Sequence, residues 1–124
     1  MTSVINWFEI PVLDFDRAHK FYCTFMAVDA LEIHEMGGAK MGFLPMEDTG
    51  TVGGGICKAE GYTPSQNGVV IYINGGQDLS GHLARVEPAG GKIVLPKTKI
   101  SDENGFMAMF IDSEGNKIGL HSPK

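Results

Sequence analysis

The chain repeats one pattern of elements, and that repetition limits what it can fold into more than any single motif does. Ile5-Asn6-Trp7-Phe8-Glu9-Ile10-Pro11-Val12 alternates, with Phe8, Ile10 and Val12 on one face and Trp7, Glu9 and Pro11 on the other, as in a half-buried strand. A helix follows from Asp14 or Asp16 as N-cap. Ala18, Phe21, Tyr22 and Phe25 recur at helical spacing, Arg17, Lys20 and Thr24 face away, and the helix ends near Met26. Strands are expected at about 30–34, 40–44 and 52–58, separated by Gly37-Gly38 and by Glu47-Asp48-Thr49-Gly50. The order then restarts. Residues 68–74 read as a strand, and Asp78 caps a short helix carrying Leu79, Leu83 and Val86, which Pro88 limits. Strands are expected near 92–100, 105–112 and 116–121. The offset of roughly 63 to 66 residues is that of a duplicated supersecondary unit.

The predicted fold class is therefore α+β, with two βαβββ modules in one domain over 1–124, module 1 at about 1–62 and module 2 at about 66–124. Each helix covers one face of a small sheet and leaves the other bare. The bare faces carry Trp7 and Glu9, then Val70 and Tyr72, and in the last strand Gly119 and His121. These six residues are expected to line one cleft and contact a small ligand. Trp7 and Tyr72 suit stacking on a planar molecule, and Met107 or Met109 would supply an adaptable wall; the same side chains equally suit plain core filling.

Composition narrows the partners. A net charge of -5 leaves no basic footprint for nucleic acid, and no apolar run has the length of a membrane span. Cytoplasmic residence is expected, because the Met1-Thr2-Ser3-Val4 start lacks the basic and apolar regions of a signal peptide. Cys23 and Cys57 are too few for a disulfide framework and lack Cys-x-x-Cys spacing, so both read as packed thiols. The paired and tripled glycines fit neither a phosphate loop nor a dinucleotide fingerprint.

Three stretches carry a resemblance to a known family: Ile10-Pro11-Val12-Leu13-Asp14-Phe15-Asp16-Arg17-Ala18 with Phe21-Tyr22, then Ala89-Gly90-Gly91-Lys92-Ile93, then Asp112-Ser113-Glu114-Gly115-Asn116-Lys117-Ile118-Gly119-Leu120. The chain resembles the vicinal oxygen chelate superfamily, which holds glyoxalase I, extradiol dioxygenases and the bleomycin- and fosfomycin-resistance proteins. The resemblance spans nearly the whole chain and implies the paired βαβββ fold. In metal-dependent members the ligands are His, Gln or carboxylate side chains. The resemblance puts those positions on Trp7, on Val70 or Val69, on Gly54 or Gly55, and on Gly119. None supplies an imidazole, carboxylate or thiolate, so neither a metal nor another cofactor is expected, and Gly119 reads as a vacated ligand position with open space beside it.

Two functions follow from the resemblance. One is a small-molecule binding protein that sequesters a toxic or antibiotic-like compound. The other is a lyase, isomerase or dioxygenase with a relocated metal, or with Glu9 and His121 as catalytic acid and base. Glu9 is also readable as a structural carboxylate bonded to Tyr72, Lys117 or His121. A homodimer is expected, because the family builds its cleft within one chain or by exchanging modules between two. The Lys97-Thr98-Lys99 run and the Ser101-Asp102-Glu103-Asn104 loop read either as a mobile edge over the cleft or as a solvated strand end.

Overall fold

The computed structural model describes residues 3–46 and 51–124, so the Glu47-Asp48-Thr49-Gly50 connection lies outside the described residues. The chain forms two compact units, 1–64 and 65–124. The first contains β1 (Trp7–Pro11), α1 (Phe15–Met26), β2 (Glu32–Met36), β3 (Ala39–Phe43) and β4 (Gly53–Lys58). The second contains β5 (Tyr72–Asn74), α2 (Ser80–Ala84), α3 (Val86–Ala89), β6 (Lys92–Ser101), β7 (Gly105–Ile111) and β8 (Lys117–Ser122). Each has a four-stranded mixed sheet of the same topology, β1-β4-β3-β2 and β5-β8-β7-β6. The first strand runs parallel to the last in both, and the other pairings are antiparallel. The fold is α+β with paired βαβββ modules, and the repeated topology is the structural form of the repeat in the sequence.

Helix α1 forms where its periodicity places it. The Asp14 side chain accepts a hydrogen bond from the Arg17 amide at 3.0 Å, satisfying one of the open N-terminal donors. Phe15, Ala18, Phe21, Tyr22, Cys23 and Phe25 are buried, with Phe21 and Tyr22 edge to face at 4.9 Å. Burying each large side chain of this set is worth roughly 1.5–3 kcal/mol, so this stripe is the main anchor of the first unit. The helix stops at Ala27, a non-glycine residue in the left-handed region (φ 57°, ψ 47°), while the Val28 amide reaches back to the Cys23 carbonyl at 2.9 Å. His19 accepts a hydrogen bond from the Leu31 amide at 3.2 Å, tying the helix to the segment before β2.

In the second unit the single expected helix is two short ones, and the reason is Pro88. Its ring would clash with the carbonyl four residues earlier, that of Ala84, and α2 ends at Ala84. The chain restarts after Arg85 as α3, so Leu79 and Val86 are buried while Leu83 is only half-buried. The expected strand over 68–74 shrinks to β5, three residues long, which leaves Val70 half-buried outside the ladder. Strand β6 tolerates Pro96 because it is the edge of its sheet.

The turn before β8 is held by buried polar groups. Asp112, 4% exposed, accepts hydrogen bonds from the amides of Glu114 and Asn116, both at 2.9 Å, and from the Asn116 side-chain amide at 3.0 Å. Asn116 in turn accepts from the Ser65 amide at 3.0 Å, and Gly115 provides the positive φ of 95° that the turn needs. The Lys97–Lys99 run is tied down as well. Lys97 pairs with Asp78 at 2.9 Å and lies over the Phe106 ring, and Lys99 pairs with Asp102 at 2.5 Å. The Asp78 carboxyl sits well below its ordinary range, chiefly because it accepts a hydrogen bond from the Ser80 amide, then from the Ser80 hydroxyl and Lys97.

Two stability outcomes follow. Ala27→Gly removes the steric cost of a left-handed alanine and is expected to stabilise the protein by about 1 kcal/mol, read as a higher urea midpoint. Asp112→Ala strands three donors in a buried turn and is expected to destabilise by about 2 kcal/mol in the same titration, with Asp112→Asn less damaging.

Candidate functional site

Sequence alternation dictates which side chains the open face of each sheet can present. In the first unit the register aligns Trp7 with Gly53, Glu9 with Gly55, Gly55 with Phe43, and Phe43 with Glu32. Directly paired residues share a face, so Trp7, Glu9, Phe43, Glu32 and His34 lie on one side, while Ile10 and Gly42 lie on the side under α1. Ile10 is 2% exposed and Trp7 40%. The strand facing expected from the alternation is therefore the one the structure adopts.

These side chains form an aromatic cluster with a carboxylate at its edge. The Trp7 and Phe43 rings meet edge to face at 5.0 Å, and His34 stacks on Phe43 at 4.3 Å. Glu9 accepts hydrogen bonds from the Tyr62 hydroxyl at 2.6 Å and from the Trp7 indole N–H at 3.3 Å. The partner of Glu9 is thus Tyr62, a residue that the pattern reading missed. No periodic signal marks it, because Tyr62 lies in the irregular segment after β4. The hydrogen bond to Glu9 and the charge of Glu9 hold the Tyr62 phenol above its ordinary range, so it stays a donor. Burial, reinforced by the Glu9 charge, pushes the Cys57 thiol up as well, which fits the packed thiol expected of it.

Beside this cluster is a cavity of about 550 Å³, lined by Trp7, Glu32, Phe43, Leu44, Pro45 and Met46 together with Ala30 and Gly54. Glu32 and Met46 were not expected there. The strand pattern over 30–34 gave no reason to single out Glu32, because only the register with Phe43 brings it beside the rings.

In the second unit the register aligns Tyr72 with Gly119 and Gly119 with Met109, and aligns Asn74 and Met107 with His121. Tyr72, Met107, Met109, Gly119 and His121 therefore share one face of that sheet. Tyr72 is 48% exposed. The His121 ring nitrogen Nε2 lies 2.6 Å from the Asn104 carbonyl, which ties the 101–104 turn to β8. Val70 precedes the ladder.

The expectation of open space beside Gly119 is corrected. A Cβ there would fall 2.5 Å from the Tyr72 ring, so the ring lies flat against the glycine and fills the place of a side chain. The triplet in β4 is equally crowded. A Cβ on Gly54 would strike Phe8, one on Gly55 the Gly42 carbonyl, and one on Gly53 the Met46 sulfur. These glycines permit close approach between neighbouring groups, one of the two roles glycine takes in strands.

The positions that the family resemblance assigns to metal ligands do not fit a divalent metal. Trp7, Val70, Gly54, Gly55 and Gly119 have no side-chain donor for one, and at Gly54 and Gly119 even a first side-chain carbon meets an aromatic ring. Among the described residues no group of three or more His, Cys, Asp or Glu side chains is placed to hold a metal ion. No helix among them is long and apolar enough to cross a membrane.

Comparison with known proteins agrees with this architecture. No curated protein matches the chain. Among solved structures it is similar to TnmS3, an antibiotic binding protein from Streptomyces sp. CB03234, with 23% identity, a TM-score of 0.66, and 100% of this chain and 99% of that one covered. It is similar to a glyoxalase/bleomycin resistance protein from Albidiferax ferrireducens T118 at 17% identity and a TM-score of 0.68, covering 97% and 98%. Glyoxalase I from Zea mays aligns at 22% identity and a TM-score of 0.66 over 94% of this chain but only 45% of the maize protein, so the chain spans less than half of that enzyme. At these identities the likeness is one of fold. Residues 4–120 match the Glyoxalase/Bleomycin resistance protein/Dioxygenase superfamily, and the chain belongs to that superfamily.

Proposed function

We propose that this protein binds a small, partly aromatic or apolar molecule by burial and stacking, without a metal, and sequesters it. The observation that carries the reading is the cavity beside Trp7 and Phe43, whose volume of about 550 Å³ falls within the range of roughly 300–1,000 Å³ usual for small-molecule sites. Its walls suit that task. Trp7 and Phe43 offer aromatic apolar contact, and the Met46 thioether adapts to irregular shapes. The likeness over full length to an antibiotic binding protein supports the same reading at the level of fold.

Glu9 has a structural part in this proposal. Its two donors leave it positioning the Trp7 indole, so it is assigned to holding the wall of the site. Tyr72 and His121 are proposed as ligand contacts on the face of the second unit, with Val70 at its margin and Gly119 acting through the Tyr72 ring it supports. Homodimer formation and residence in the cytoplasm belong to the same proposal.

Trp7 is the only tryptophan, so its fluorescence reports the cavity directly. A small-molecule screen read by Trp7 emission is expected to yield ligands, and Trp7→Ala is expected to weaken them by on the order of 2 kcal/mol when measured by calorimetry. Ligands that bind the Trp7→Ala protein as well as the parent would sink the reading.

Metal titration gives a second check. Protein purified without added metal is expected to hold no stoichiometric zinc, nickel, iron or manganese, and Gly119→Glu is expected not to create a tight site, since affinity needs the full ligand set and its supporting hydrogen bonds. The same substitution must displace the Tyr72 ring and is expected to lower thermal stability. Stoichiometric metal in the parent would instead favour a lyase, isomerase or dioxygenase.

A further inference from the structure

We propose that the cavity of the first unit selects an organic cation carried on a planar apolar body, with Glu32 as its counter-charge. This inference rests on the binding reading above and narrows its ligand class. It comes from the unequal situations of two carboxylates near Trp7. Glu9 already accepts hydrogen bonds from Tyr62 and Trp7. Glu32 lines the cavity, and among the described residues it is the only ionisable one that does so. Among the described residues its nearest charged or chargeable neighbour is His34, whose Nε2 lies 3.5 Å from the Glu32 carboxylate. That nitrogen is buried and makes no hydrogen bond, so the contact falls short of one. The Glu32 carboxylate, 72% exposed, thus keeps acceptor capacity beside a cavity whose other lining residues, among those described, are apolar or aromatic.

The chemistry of the lining selects charge as well as shape. A cation beside the Trp7–Phe43 cluster is attracted by the aromatic π-electrons it reaches and by Glu32 together, whereas a neutral molecule of the same outline gains burial alone. An anion meets Glu32 and a chain of net charge -5. The stacking of His34 on Phe43 fixes the ring that would face the ligand.

The test uses proflavine, a planar tricycle protonated at neutral pH, and acridine, the same ring system largely unprotonated there. Both are measured by equilibrium dialysis against the parent, Glu32→Gln and Glu35→Gln. Glu35 is on the same strand but faces the other way, opposite Lys40, so its variant removes an equal charge away from the cavity. The parent is expected to bind proflavine about tenfold more tightly than acridine, and Glu32→Gln is expected to lower proflavine affinity about fivefold while changing acridine less than about twofold. Glu35→Gln is expected to leave both unchanged. Equal affinity for the two dyes, or equal losses in the two variants, overturns the assignment of a cation. If Trp7→Ala still weakens both dyes in that case, the binding reading stands and only the cation preference fails. Binding of neither dye to the parent overturns the cation proposal outright, while the Trp7 screen decides the binding reading separately.

Discussion

Parallel pairing of the first strand with the last, repeated in both units, is the constraint on which the rest of each unit depends. A parallel partner cannot be reached by a tight turn, so the chain must leave the sheet and return, and the helix between is the means of return. The helix then covers one face, and the other face is left to side chains alone. In the first unit that pairing sets Trp7 and Glu9 beside the glycines of β4, and in the second it sets Tyr72 beside Gly119. Large rings next to glycine are a consistent packing solution, since the missing Cβ makes room for the ring and the ring shields the exposed backbone.

The same packing accounts for the absence of ligand-type residues. A position held by glycine invites the idea of a hole, but β4 and β8 show no holes at Gly53, Gly54, Gly55 or Gly119. Tyr72 and Phe8 take up the volume. Replacing such a glycine is therefore an act of repacking, and restoring donor atoms one at a time would disturb the neighbours before it gathered a coordination shell.

Some of this was legible in the sequence for plain physical reasons. Helix α1 has a strong apolar stripe, an Asp cap and a clear stop, so local signals agree and its limits follow. The alternation in β1 likewise fixed which side Trp7 faces. The split of the second helix was only half legible. Pro88 announced a limit, but the restart after Arg85 depends on Leu79 and Val86 both reaching the core. Glu32 and the contact of Tyr72 with Gly119 were not legible at all, because each depends on which strand lies beside which and in what register, and Tyr62 was not because it lies in an irregular segment. Periodicity describes one strand at a time, whereas a site is made of neighbours that are distant in the chain.

The turn that joins Ser65 to Asn116 also has a meaning in time. The hydrogen bond spans 51 positions, and among the described residues β5 pairs with no strand other than β8, which follows the other strands of its unit in the chain. During synthesis the second unit must keep its first strand waiting until its final one has emerged, much as β1 waits for β4. The closure entropy of so long a loop falls on a late event, with little local pairing to offset it beforehand. The middle hairpin of β6 and β7 can form first by itself. The chain thus favours assembly from the centre of each unit outward, with the edge strand that begins the unit placed last.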